Sequence, residues 1–257
     1  VNAWFCWLFL GRIRFMSLSC RIVLVSPSHP GNIGAVARAM KNMGLSDLAL
    51  VNPAVFPDHQ ATVRASGADD ILAQAQVYTT LPEALAEAQW VLGASARLRD
   101  LSQTLIDPKQ CAEFVAQQAG SKVALVFGRE SSGLTNEELS LCHYHVHIPT
   151  APDFASLNLA AAVQVIVYEI FMAQRKAAPG QASQAPRTDL ASASAVSGFL
   201  THLNELLAAI NYFDPAHPRG LKQRLRRIFL KASLEQTEVN ILRGMVRKIE
   251  RVLGKAP

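Results

Sequence analysis

The loop Gly128-Arg129-Glu130-Ser131-Ser132-Gly133 follows the apolar run Val123–Phe127. Its glycines let main chain approach a ligand closely, and Glu130 offers a carboxylate. Further on, Ile148-Pro149 ends a second apolar run, and Ser156-Leu157-Asn158 opens a long apolar helix. Each feature also has a plain structural reading. Two glycines can serve a turn, Glu130 can cap the adjacent helix, and Asn32 and Ser156 are good helix caps. Taken together they lie at strand C-terminal ends, where open α/β sheets bind ligands. His143, His145 and His147 share one face at strand spacing. With no fourth ligand or supporting partner in view, they read as a polar strand or subunit contact, and no metal is expected. There is no GxGxxG after the first strand, no GxxxxGK[ST] and no GxSxG, so dinucleotide, P-loop and serine-hydrolase chemistry have no basis.

The elements that would position these residues alternate. Arg21–Ser26 is a continuous apolar strand, Asn32 to Gly44 a helix with Ile33, Val36, Ala37 and Met40 on one face, and Asp47–Asn52 a second strand. This β-α-β unit predicts a parallel sheet covered on both faces. Ala68–Ala75 and Leu81–Ala88 read as helices, Val77-Tyr78 as a short strand and Trp90–Ser95 as another. Asp107 caps a helix to Gln118 with Pro108 in its first turn, and Thr135-Asn136-Glu137-Glu138 forms a capping box. A helix is expected from Leu157 to Lys176. Ala177–Ala193, rich in Ala, Ser, Gln, Pro and Gly, reads as a linker, and three amphipathic helices come after it. These elements alone describe an unknotted, doubly wound sheet, because true knots are rare.

Charge separates the chain into two parts. From His217 to Pro257 there are eleven Lys/Arg against three acids, whereas the other 216 residues hold 14 basic and 17 acidic side chains. A basic tail on a mildly acidic body points to a polyanionic partner. Arg219, Lys222 and Arg226 fall at i, i+3, i+7, with Arg224, Arg227 and Lys231 close by, and phosphate contact is the favoured reading over a merely solvated face. Cys6, Cys20, Cys111 and Cys142 have no framework spacing and are expected as free thiols of a reducing compartment. No apolar run reaches membrane-spanning length. Residues 1–15 do not match the rest of the chain. The expectation is an upstream translation artefact with the natural start at Met16, the rival a hydrophobic partner-binding segment.

Asn32-Ile33-Gly34-Ala35-Val36-Ala37-Arg38 resembles the N-x-G-x-x-x-R motif of the SPOUT RNA 2′-O-ribose methyltransferases. Leu125–Leu134 resembles their second motif. Ile148-Pro149 with Ser156–Ala160 resembles the third. Order and spacing match over roughly residues 20–172. Gly93–Arg97, Leu134–Leu139 and the basic helical tail are most similar to the TrmJ-type branch, which methylates ribose 32 of the tRNA anticodon loop.

The resemblance implies a parallel α/β sheet flanked by helices, closed by a C-terminal deep trefoil knot, with a small all-helical extension. It divides the chain into an N-terminal extension (1–15), a methyltransferase domain (16–176), a linker (177–193) and a basic RNA-binding extension (194–257). It implies S-adenosylmethionine as cofactor, tRNA as partner, a homodimer, no membrane and a cytoplasmic location. By the same resemblance Ala94, Ser95, Ala96, Gly128, Ile148, Ser156, Leu157 and Asn158 bind the cofactor. Asn32, Arg38, Glu130, Ser156 and Asn158 form a reaction site shared between subunits. Arg38, Arg219, Lys222, Arg224, Arg226 and Arg227 are the RNA-binding candidates. The family's arginine is often cast as the base. A guanidinium stays protonated in proteins, so Arg38 suits a phosphate grip that lowers the hydroxyl pKa, and Glu130 is better matched by pKa to accept a proton. Ribosomal RNA methylation and a non-catalytic RNA-binding protein on the same scaffold are the alternatives.

Overall fold

The structure is a computed structural model that describes residues 19–96, 104–118, 120–176, 189–214 and 220–254. Residues 1–15, most of the expected linker and Arg219 lie outside the described residues.

Seven strands form one sheet in the order β3-β2-β1-β6-β4-β7-β5. They are β1 (Ser19–Val25), β2 (Asp47–Val51), β3 (Gln76–Tyr78), β4 (Trp90–Ala94), β5 (Thr104–Ile106), β6 (Lys122–Phe127) and β7 (Tyr144–Val146). Every pairing is parallel. The run of apolar residues in β1 has no polar alternation because both faces are covered. Ile22 and Leu24 enter one core, Val23 and Val25 the other. The first core packs against α1 (Pro30–Asn42), α5 (Pro108–Gln117) and α7 (Leu159–Lys176). The second packs under α4 (Leu81–Ala84) and α6 (Asn136–Leu139). At the centre of β6, Leu125 is fully enclosed, and cutting it to Ala costs about 2–5 kcal/mol by loss of burial and a residual cavity. This is the flanked parallel sheet expected from the sequence. The trefoil knot stays an implication of the resemblance, and residues 97–103 lie outside the described residues.

Two short elements escape the sequence pattern: α2 (His59–Ala65) and β5. Neither is long enough to display a period. The packing explains α2: a Cβ on Gly34 of α1 would lie 2.0 Å from the Ala61 carbonyl oxygen. Gly34 therefore lets the two helices touch backbone to backbone, and Gly34→Ala must force them apart. The helix α3 (Asp69–Gln74) matches its expected place, whereas α4 stops at Ala84, short of the expected Ala88.

After the described chain resumes, α8 (Ala193–Ala209), α9 (Leu221–Ala232) and α10 (Gln236–Val252) enclose their own small core of Val196, Phe199, Leu200, Leu206, Val239 and Val246. Phe199 and Phe229 meet edge to face at 4.8 Å. Leu190 bridges to Glu235, and the Ala193 amide donates to the Ala88 carbonyl at 2.7 Å, tying these helices to the sheet part.

Candidate active site

The β6 strand delivers Gly128 to a closed loop. Arg129 and Gly133 exchange backbone hydrogen bonds of 2.9 and 3.2 Å. A Cβ at Gly128 would sit 2.1 Å from the Gly133 carbonyl carbon, so only glycine lets the loop double back. The Arg129 guanidinium donates to both oxygens of Glu138 at 3.0 Å each, which pins the loop to α6. Thr135 and Glu138 complete the expected capping box of that helix. Glu130 is therefore not its cap and projects the other way.

There, Glu130 meets the start of α1. Its carboxylate accepts from the Ser28 amide, the Ser28 hydroxyl at 2.9 Å, the His29 amide and Asn32 Nδ2 at 2.9 Å. Partial burial pushes its pKa up, but the hydrogen bonds from Asn32 and Ser28 outweigh this and bring it down to about 2. Glu130 is thus a firmly held carboxylate, poorly suited to the proton-accepting role that its residue type had favoured.

Asn32 does not cap α1 as expected. His29 does, accepting from the Gly31 amide through Nδ1 at 3.1 Å. Asn32 lies within the first turn, where its side-chain Nδ2 donates to Glu130 and its Oδ1 accepts from Asn158 Nδ2 at 3.0 Å. Asn158, not Ser156, caps α7: its Oδ1 takes the Ala160 amide at 2.9 Å, and the helix begins at Leu159, not Leu157. One chain of hydrogen bonds, Glu130–Asn32–Asn158, therefore joins the loop after β6, the first turn of α1 and the start of α7.

Beside this chain lies a cavity of about 300 Å³ at the C-terminal ends of β4, β6 and β7. Ala94, Ser95, Ala96, Gly128, Ile148, Ser156 and Leu157 line it, as does Glu130. Asn158 is the one expected cofactor residue that does not. Phe127, Val146 and Leu159 also line it but were missed, because their apolar side chains look like ordinary core in the sequence. Arg38 stands apart. It is exposed on α1, forms no hydrogen bond or ion pair among the described residues, and does not line the cavity. Six positions along a helix turn it well away from Asn32.

His143, His145 and His147 lie before, within and after β7. His143 Nδ1 accepts from the Val91 amide at 3.1 Å, and His147 Nδ1 lies 3.3 Å from the Ser95 carbonyl oxygen. Among the described residues no group of three His, Cys, Asp or Glu could hold a metal ion. Cys20, Cys111 and Cys142 are buried free thiols, pushed up in pKa chiefly by burial, and Cys6 lies outside the described residues. Among the described residues no helix is long and apolar enough to cross a membrane.

Residues 19–168 match the SpoU rRNA Methylase family. The chain belongs to that family. In this SpoU methylase, residues 194–257 match a second description, tRNA methyltransferase TrmJ, C-terminal domain. The chain is 49% identical over 242 residues to the tRNA (cytidine/uridine/adenosine-2′-O-)-methyltransferase TrmJ of Pseudomonas aeruginosa, covering 90% of this chain and 94% of that protein. It is 50% identical over 240 residues to the tRNA (cytidine/uridine-2′-O-)-methyltransferase TrmJ of Klebsiella pneumoniae, covering 92% and 98%. The crystal structure of TrmJ from Z. mobilis ZM4 superimposes with a TM-score of 0.79 at 34% identity, over 90% of this chain and 98% of that one. The SPOUT resemblance of the motifs and the fold class both stand on these matches.

Proposed function

We propose that this chain transfers a methyl group from S-adenosylmethionine to the ribose 2′-hydroxyl of tRNA, at nucleotide 32, C or U, of the anticodon loop. The observation that carries the proposal is the hydrogen-bond chain Glu130–Asn32–Asn158 at the edge of a cavity floored by strand ends. The named activities of relatives near half identical in sequence support it, and nucleotide 32 comes from the motif resemblance.

The cavity suits the cofactor. Its wall is small and apolar at Ala94, Gly128, Ile148, Leu157 and Leu159, where an adenine ring can lie against main chain. The carboxylate of Glu130 on the same wall favours a cation nearby. When bound, S-adenosylmethionine supplies an electrophilic methyl on a sulfonium. Ala94 to Ala96, Gly128, Ile148, Ser156 and Leu157 would hold it.

The chain's own residues then do three things. Glu130 fixes the Ser28-His29 turn and Asn32, so the start of α1 is rigid before RNA arrives. Asn158 extends that rigidity to the cofactor wall. Arg38, always charged, grips a phosphate beside the target ribose and lowers the hydroxyl pKa by its field. Glu130, already held as a carboxylate by four donors, does not act as the base.

Arg38 is exposed and does not line the cavity, which is the reason to propose that a second copy supplies it in a homodimer. α7 supports this: Ala161, Val165 and Tyr168 at i, i+4, i+7 are exposed, an apolar stripe suited to a second copy. The site of action is the cytoplasm, where tRNA is matured. The domain limits proposed are 16–176 for the methyltransferase part and 194–257 for the basic extension, joined by 177–193.

The test is direct. The protein is incubated with S-adenosylmethionine and bulk tRNA, the RNA is digested, and Cm and Um are mapped by mass spectrometry. Ribose methylation at nucleotide 32 is expected. Methylation elsewhere in tRNA would overturn the position, and its absence from tRNA would overturn the activity.

A further inference from the structure

A second cavity, of about 660 Å³, opens at the other end of β7 from the methyl-transfer cavity. One wall is α9. Arg224, Arg227 and Lys231 stand at i, i+3, i+7 on the face that lines it, and none of the three has an ion-pair or hydrogen-bond partner among the described residues. The opposite wall belongs to the sheet part: Thr104 of β5, Ser140 after α6, and His143 before β7, with Glu137 as the acid on that side.

The arrangement is more selective than a solvated basic helix. Arg226 shares α9 but faces the opposite way, against Pro82, Leu85, Leu141 and Val196, where burial lowers its pKa. It leaves the basic stripe expected from the sequence. Lys222 lies over the Phe213 ring, outside the cleft, and Arg224, Arg227 and Lys231 converge on it. His143 adds a neutral donor. Its Nδ1 accepts from the Val91 amide, so the hydrogen sits on Nε2. The ring also packs edge-on against Trp90 at 5.0 Å, which fixes its direction.

We infer that this cleft grips a phosphodiester of the substrate RNA, with Arg224, Arg227 and Lys231 on the phosphate and Ser140 and His143 on the adjoining ribose. This rests on the reading of the chain as a tRNA methyltransferase and gives its RNA a second attachment point. β7 spans three residues, roughly 10 Å, so cleft and methyl-transfer cavity lie at opposite ends of one short strand. A strand of RNA held at both ends would be fixed in register across the sheet edge.

The experiment compares two double substitutions in the full-length protein: Arg224→Gln/Arg227→Gln in the cleft, and Arg247→Gln/Lys248→Gln on exposed α10. Both remove two charges, and equal thermal melting confirms that both fold. Dissociation of bulk tRNA is measured between 50 and 200 mM salt. The cleft pair is expected to weaken binding roughly tenfold near 0.1 M and to flatten the log–log salt slope by about 1.5, as loss of two phosphate contacts requires. The α10 pair should change both much less. Equal losses from the two pairs would overturn the cleft and leave a diffuse basic tail. Wild-type protein that fails to bind tRNA would overturn the tRNA reading and the cleft with it.

Discussion

The loop after β6 and the helix α9 are both dense in polar residues, and the structure treats them oppositely. In the loop the charged side chains are already satisfied. Glu130 has four donors and Arg129 a bidentate carboxylate. On α9, Arg224, Arg227 and Lys231 have no partners among the described residues. A site that must align a methyl with a hydroxyl benefits from groups fixed beforehand, since misplacement by about 1 Å can cost 10²-fold in rate. A surface that collects a polyanion benefits from cations left unpaired, since their association releases counterions. Polar density therefore says little about role, and the presence or absence of an internal partner says much.

Arg38 offers the hardest test, being unpaired like the α9 cations yet proposed to serve the reaction. Arg38→Ala should reduce methyl transfer by 10²-fold or more, an effect on the order of losing a charge stabiliser, while calorimetry shows S-adenosylmethionine still bound. Arg38→Lys should keep partial activity if charge alone matters and little if a bidentate grip does. Near-normal turnover in Arg38→Ala would place it with the binding cations and leave the partner rule without exception.

Glu130→Ala should come next, at about 10²-fold in kcat, because Asn32 and the Ser28-His29 amides lose their common acceptor. Glu130→Gln should recover part of this, one oxygen remaining as acceptor. The pH profile sharpens the same point. With its pKa at about 2, Glu130 is ionised throughout the working range, so no rate inflection from it is expected between pH 4 and 8. Its contribution to stability is present above the unfolded value of 4.5 and is lost as pH falls toward 2. An inflection near 4.5 that Glu130→Gln removes would restore it as a base.

The smallest expected effect belongs to His143. Burial lowers its pKa to about 4. Between the unfolded value of 6.5 and about 4 only the unfolded chain takes up the proton, so stability should fall on acidification through that window. The slope is at most about 1.4 kcal/mol per pH unit. Urea melts at stepped pH check this: His143→Gln should remove the slope, and an unchanged slope would mean the ring is solvated and not fixed at the cleft.

Much of this molecule was legible from its residues. Uninterrupted apolar runs such as Val123–Phe127 gave buried parallel strands, Asp107 and Thr135 gave helix starts, and Gly128–Gly133 gave the loop beside the cavity. Those signals are local: apolar period, cap chemistry and glycine freedom depend on neighbours a few residues away. The short α2 and β5 carry too few residues for any period, and their existence depends on partners far along the chain. Asn32 and Ser156 were plausible caps by type, but capping depends on which backbone amide lies in reach, and His29 and Asn158 took those places.

Sequence by itself settled the longer strands and helices, the family motifs and the basic bias of the last forty or so residues, because each is a sum over nearby positions. Tertiary structure alone decided that the Glu130 carboxylate is held by the start of α1, that Arg226 is turned inward while Arg224 and Arg227 face a cleft, and that Arg38 stands outside the cavity. Each of those depends on direction and on contacts more than 80 residues apart in the chain or on the opposite faces of one helix, and a carboxylate or guanidinium has the same type in the sequence whichever way it points.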